Sequence, residues 1–120
     1  MMSKTICIVE DNPDIADVLD IYLQEEGFEV TLFDTASAFL STYQKQHNDI
    51  FLLDVMLPDG DGISLCNHIK QDPAFAHIPV VIMSAHSQAE TINKNSKSDA
   101  FIKKPFDLNE LKDQLNLLLS

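Results

Sequence analysis

Three short, uninterrupted apolar runs constrain this chain more than any other feature. They are Thr5-Ile6-Cys7-Ile8-Val9, Ile50-Phe51-Leu52-Leu53 and Pro79-Val80-Val81-Ile82-Met83. Each is too short for a typical helix, is rich in β-branched or bulky residues, and lacks the polar alternation of a strand with one wet face. Such runs read as strands buried on both faces, which occur where helices cover both sides of a parallel sheet. Pro79 can open its strand because the first position needs no ladder donor.

The segments between the runs supply the covering helices. Ile15, Val18, Leu19, Tyr22 and Leu23 recur at three and four and predict a helix to about residue 26. Asn12 suits its cap, Pro13 its first turn and Gly27 its end. Residues 28–33 read as a further strand, and residues 36–46 as a helix carrying Ala36, Phe39, Leu40 and Tyr43 on one stripe. Residues 56–61, with Pro58 and Gly60, read as a loop. Ile63, Leu65, Cys66 and Ile69 mark a helix that ends before Pro73. Residues 87–97 predict a poor helix anchored only by Ala89 and Ile92. A fifth short strand covers 100–102, Lys103-Lys104-Pro105-Phe106 reads as a turn, and Leu108, Leu111, Leu115, Leu118 and Leu119 form the last helix. Five strands alternating with five helices predict an α/β, three-layer α/β/α sandwich built as one domain over residues 1–120.

Charge narrows the function. Eight lysines face 19 acidic residues, arginine is absent, and the formal net charge is -11. Nucleic acid and anionic lipid are repelled by such a chain, and the bidentate phosphate reader is missing, so direct nucleic-acid binding is excluded as an expectation. A cation or a basic protein face suits it better. Cys7 and Cys66 form no CxxC pattern, and no apolar stretch approaches the length that spans a bilayer. The expectation is a cytoplasmic protein without membrane insertion.

In an open α/β sheet, ligands bind beyond the carboxyl ends of the strands. The residues there are Glu10 and Asp11, then Asp54, then Ser84, Ala85 and His86, then Lys103 and Lys104. Three carboxylates meeting at one edge need compensation, and a hard divalent cation with oxygen ligands supplies it. A lysine and a hydroxyl beside that cation make a clamp for phosphoryl oxygens, and an aspartate can itself be the nucleophile. Taken singly, each residue also has an ordinary surface or capping role; their joint placement carries the argument.

These residues give the chain a resemblance to the receiver domains of two-component response regulators, the CheY-like family. The resemblance covers essentially the whole chain. It rests on Glu10-Asp11, on Asp54-Val55-Met56-Leu57-Pro58-Asp59-Gly60, on Ser84-Ala85 and on Lys104-Pro105-Phe106. It implies a flavodoxin-like (βα)5 fold with strand order 2-1-3-4-5. It implies Asp54 as phosphoacceptor, and Mg²⁺ (Mn²⁺ as an alternative) held by Glu10, Asp11, Asp54 and the backbone carbonyl of Met56. Ser84, Ala85 and Lys104 are then the phosphoryl-binding and switch residues, Phe101 is the switch aromatic, and Pro105 follows a cis peptide bond. Met56 and His86 tune loss of the phosphoryl group. The implied donor is a histidine kinase or histidine phosphotransfer protein. The implied recipient of the signal is a downstream protein or an output domain, reached through the face of the fourth helix, fifth strand and fifth helix.

Two departures fall on that face. The stretch from Ser84 to Lys104 is about two residues shorter than the family pattern, and Lys97-Ser98 stands where glycine-alanine is usual. Neither removes an acid, hydroxyl or lysine of the site. A flavodoxin-like cofactor module would need a glycine in the first loop, and an NTPase would need GxxxxGK[ST]; both are absent. The alternative left is a receiver-fold docking module that works without phosphorylation.

Overall fold

The computed structural model describes residues 3–85 and 97–120. Five parallel strands form one sheet: β1 (Thr5–Val9), β2 (Glu29–Phe33), β3 (Ile50–Asp54), β6 (Val80–Ala85) and β7 (Ala100–Lys104), in the order β2-β1-β3-β6-β7. This is the expected order, renumbered by two short strands, β4 (Met56–Leu57) and β5 (Gly60–Asp61), that make a separate antiparallel pair. That hairpin corrects the expectation of a plain loop over 56–61. A second correction concerns Lys103 and Lys104, expected in a turn: both lie inside β7, opposite Ser84 and Ala85. The expected helix over 87–97 and His86 fall, but for Lys97, outside the described residues.

Alternation along the strands builds two cores. On β1, β3 and β6, Cys7, Val9, Phe51, Leu53, Val80 and Ile82 face α2 (Ala36–Thr42) and α3 (Gly62–Gln71). Ile6, Ile8, Ile50, Leu52, Val81 and Met83 face α1 (Pro13–Glu25) and α4 (Leu108–Leu119). The helices contribute Phe39, Leu65, Cys66 and Ile69 to the first core and Leu19, Leu23, Leu111 and Leu115 to the second. This is the three-layer sandwich, with both faces of the central strands dry.

Local chemistry sets the helix ends. Asn12 Oδ1 accepts from the amides of Asp14 (2.9 Å) and Ile15 (3.3 Å), with Pro13 directly behind it. Gly27 takes φ of 96°, the left-handed conformation that ends α1 at little steric cost. The second helix stops earlier than its apolar stripe suggests. Asn48 Nδ2 donates to the carbonyls of Tyr43 (2.9 Å) and Gln46 (3.2 Å), and Tyr43–Lys45 tightens into a 3₁₀ turn. Tyr43 stacks on Phe39 at 4.7 Å, so the turn stays anchored to the core.

Gly62 bears directly on the carboxyl end of β3. Its amide donates to the carbonyl of Val55 at 2.9 Å. A Cβ at this position would fall inside contact distance of the Asp54 carbonyl oxygen and stand 2.9 Å from the Asp54 carbonyl carbon. Backbone cannot swing aside as a flexible side chain can. Gly62→Ala is therefore expected to destabilise the fold by about 1–3 kcal/mol, despite the better helix propensity of alanine. Urea denaturation checks this, and an unchanged or raised midpoint contradicts it.

Candidate functional site

The register brings the strand ends together. Val9 lies opposite Leu53, Asp54 opposite Met83, and Ala85 opposite Lys104. The residue after β1 and the last residues of β3, β6 and β7 therefore share one edge of the sheet. Glu10 extends the ladder by donating its amide to the Phe33 carbonyl at 3.0 Å. Its side chain is then turned inward, where Glu10 Oε2 accepts from the Asn12 amide at 3.1 Å. The same residue that caps α1 thus orients the first acid of the site.

Glu10 is 2% exposed, Asp54 7% and Ser84 1%, whereas Asp11 is open to solvent. Lys104 Nζ stands 2.8 Å from Glu10 Oε1 and 3.2 Å from Asp54 Oδ2. Carboxylate oxygens of Glu10, Asp11 and Asp54 lie within 4.8 Å of one another. Burying two acids side by side is costly unless they are paired and hydrogen-bonded. Burial pushes the Glu10 carboxyl above its ordinary pKa and the Asp54 charge adds to that, outweighing the hydrogen bonds from Lys104 and the Asn12 amide. Burial alone would lower Lys104, but the hydrogen bond to Glu10 and the charges of Asp54 and Glu10 prevail and hold its ammonium above the ordinary value. A lysine charged at all working pH values is thus built into the centre of the cluster.

The donor set is hard oxygen, with three carboxylates against one ammonium. When all three acids are ionised, two negative charges remain, which one divalent cation of the Mg²⁺ or Ca²⁺ type neutralises. The Lys104–Pro105 peptide is cis. Phe101 is half-buried against the α2–α3 core, and the Met56 side chain is 66% exposed. Beside the acids, an apolar groove runs between α1 and the start of α4. Ile15, Val18, Leu19, Pro105, Phe106 and Leu108 line it, with Lys104 and Asp14 at its rim.

Three residues of this neighbourhood were not singled out by sequence reasoning. Asp61 caps α3 by accepting from the Ser64 amide at 2.7 Å, and an acid just before an apolar helical stripe is a readable signal for that. Gly62 could have been marked by its place beside the Asp54–Gly60 segment. Asp59, which reaches the amides of Ala36 and Ser37, is named only within the segment that carries the resemblance, and nothing local points to its partners in a chain with 19 acids.

The family model described as response regulator receiver domain matches residues 6–116. The transcriptional regulatory protein GltR of Pseudomonas aeruginosa is 31% identical over 97% of this chain and 49% of its own length. The transcriptional regulatory protein CreB of Escherichia coli K12 is 34% identical over 99% of this chain and 52% of its own. The chain thus spans about half the length of these curated relatives. Among solved structures, the response regulator TrrA of Thermotoga maritima in complex with Mg²⁺-BeF superposes with a TM-score of 0.87 at 26% identity, covering 97% of this chain and 99% of that one. Among the described residues, no helix is long and apolar enough to cross a membrane.

Lys104→Met would leave two adjacent buried carboxylates without their cation. In metal-free buffer at pH 7 the variant is expected to lose about 1–3 kcal/mol of stability, below the full cost of a broken buried pair because Lys104 is partly solvated. Lys104 lowers the Glu10 pKa against the effect of burial, so its loss raises that pKa further, and this sets the sign of the pH dependence. An acid held above its unfolded value stabilises the fold at low pH and loses that contribution as pH rises through its titration. The deficit of Lys104→Met should therefore grow from acid to neutral pH in urea titrations; a deficit that is constant or shrinks contradicts this assignment.

Proposed function

The chain belongs to the response regulator receiver domain family, and on that premise we propose that Asp54 accepts a phosphoryl group from a phosphohistidine on a histidine kinase or histidine phosphotransfer protein. The observation that carries this reading is the charge arrangement: Lys104 Nζ at 2.8 Å from Glu10 and 3.2 Å from Asp54, inside a cluster of three acids at the carboxyl edge of the sheet. In the transfer, the phosphorus–nitrogen bond of the donor breaks and a phosphorus–oxygen bond forms to an Asp54 carboxylate oxygen. The electron pair leaves with the imidazole, which then takes up a proton. The product is an aspartyl phosphate.

Glu10, Asp11, Asp54 and the Met56 carbonyl would hold Mg²⁺, with Mn²⁺ as the alternative. Glu10 is already engaged by Lys104 and the Asn12 amide, so exposed Asp11 is the better direct ligand. When bound, the ion supplies charge that neutralises the phosphoryl oxygens. Lys104 gives a second positive charge to one of those oxygens. Ser84 offers a hydroxyl from β6, with the Ala85 backbone beside it, and Phe101 on the adjacent strand responds by repacking. By family analogy Met56 and His86 tune hydrolytic loss of the group; the thioether of Met56 orients water poorly. The phosphoryl group brings about two negative charges to one point and biases two packings of the β7–α4 face toward one. That face passes the signal to a downstream protein or to an output domain. The chain acts in the cytoplasm in this reading, and the protein donor lies over the α1 groove, whose rim residue Lys104 also touches Asp54.

Acetyl phosphate with Mg²⁺ tests the chemistry. Intact mass is expected to show one phosphoryl adduct, absent in Asp54→Asn and after EDTA treatment. Val18→Asp, on the groove and 51% exposed, should label normally with acetyl phosphate but accept from a phosphohistidine protein at least about fivefold more slowly. No adduct under conditions that label another receiver would overturn phosphoacceptance and leave a docking module.

A further inference from the structure

Asp59 plays no part in the chemistry above, yet its carboxylate ties the site to a neighbouring helix. Asp59 Oδ1 accepts from the Ala36 amide at 2.7 Å, and Oδ2 accepts from the Ser37 amide at 2.9 Å. Ala36 and Ser37 are the first two residues of α2, where backbone N–H groups have no partner inside the helix. Thr35 Oγ1 caps only the next amide, that of Ala38, at 3.1 Å. The donors of this helix end are therefore satisfied by two separate segments of chain. The amides of Ser37 and Ala36 hold the Asp59 carboxyl below its ordinary pKa, as charge-assisted bonds should.

The position of Asp59 gives these bonds a consequence at the site. It stands in the turn between β4 and β5, after Met56 and before Gly62. Met56, at one end of the hairpin, offers the backbone carbonyl proposed as a cation ligand. Gly62, just past the other end, packs against the Asp54 backbone so closely that a methyl group there would clash with it. The hairpin has only two residue pairs, Met56 with Asp61 and Leu57 with Gly60, which is too little to hold its own geometry. Its contact with α2 is direct: a Cβ at Gly60 would stand 3.3 Å from the Ala36 Cβ.

We propose that Asp59 is a positioning residue for the cation site. By clamping the β4–β5 hairpin to the first residues of α2, it fixes both the Met56 carbonyl and the backbone that carries Asp54. This rests on the reading that Glu10, Asp11, Asp54 and Met56 bind Mg²⁺. Linkage makes the clamp reciprocal: a cation that requires the closed hairpin tightens the bonds to Ala36 and Ser37.

The test is Mg²⁺ titration by calorimetry of wild type, Asp59→Ala and Asp59→Asn, joined to amide exchange followed by NMR. The titrations are run in about 1 M KCl, where the Debye length of about 3 Å suppresses any long-range effect of the lost charge. Asp59→Ala is expected to weaken Mg²⁺ at least about tenfold, in the range seen when residues supporting metal ligands are removed. Asp59→Asn keeps one acceptor oxygen and should weaken it less. In wild type, Mg²⁺ should slow exchange of the Ala36 and Ser37 amides, and in Asp59→Ala it should not. Folded Asp59→Ala that binds Mg²⁺ as tightly as wild type overturns the clamp, as does a loss seen in dilute salt that disappears in high salt. A wild-type chain that binds no Mg²⁺ overturns the cation reading itself and the clamp with it, so the two failures are distinguishable.

Discussion

The contacts of Lys104 with Glu10 and Asp54 are the interaction on which the arrangement of the site depends. They join residues 94 and 50 positions apart in sequence, from the ends of β1, β3 and β7. Only a parallel sheet places those three strand ends side by side, because every strand then delivers its last residue to the same edge. The interaction is also demanding. Two buried carboxylates repel, and one lysine offsets them without bringing the three-acid cluster to neutrality. The fold therefore carries a local excess of negative charge at the carboxyl ends of its buried central strands.

That excess is held by backbone as well as by charge. Asn12 anchors Glu10 while capping α1, Gly62 packs against Asp54 while opening α3, and Asp59 fastens the intervening hairpin to α2. Each residue satisfies helix-terminal amides or opens a helix, so the cost of site geometry and the cost of helix ends are met by the same residues. The result is a site whose acids sit on strand ends while their supports are the first turns of three helices. Groups placed on rigid elements in this way keep their mutual geometry fixed.

The sheet was legible because the physics there is local. Ile50-Phe51-Leu52-Leu53 has no polar residue to offer water, so burial on both faces was the only consistent reading. The acids and Lys104 were legible as residues at strand ends, and the family resemblance supplied their order. The misses were tertiary. Lys103 and Lys104 look like a turn beside Pro105, yet β6 recruits them into its ladder through Ser84 and Ala85. The stripe of α2 runs on through Tyr43, but Asn48 captures that carbonyl from beyond the helix and tightens the turn. Met56–Leu57 and Gly60–Asp61 are too short to announce strands, and Asp59 acts 23 and 22 residues away from its two partners. No window along the chain contains that information.

The most direct test of the account is a crystal structure of the chain with Mg²⁺ and beryllofluoride, which mimics an acyl phosphate on a carboxylate. The account predicts beryllium bonded to an Asp54 carboxylate oxygen, Mg²⁺ on Asp11, Asp54 and the Met56 carbonyl, and Lys104 Nζ drawn from Glu10 to a fluoride. Beryllofluoride absent from Asp54, or bound there with Lys104 still bridging Glu10 and Asp54 and no cation among the acids, would contradict it.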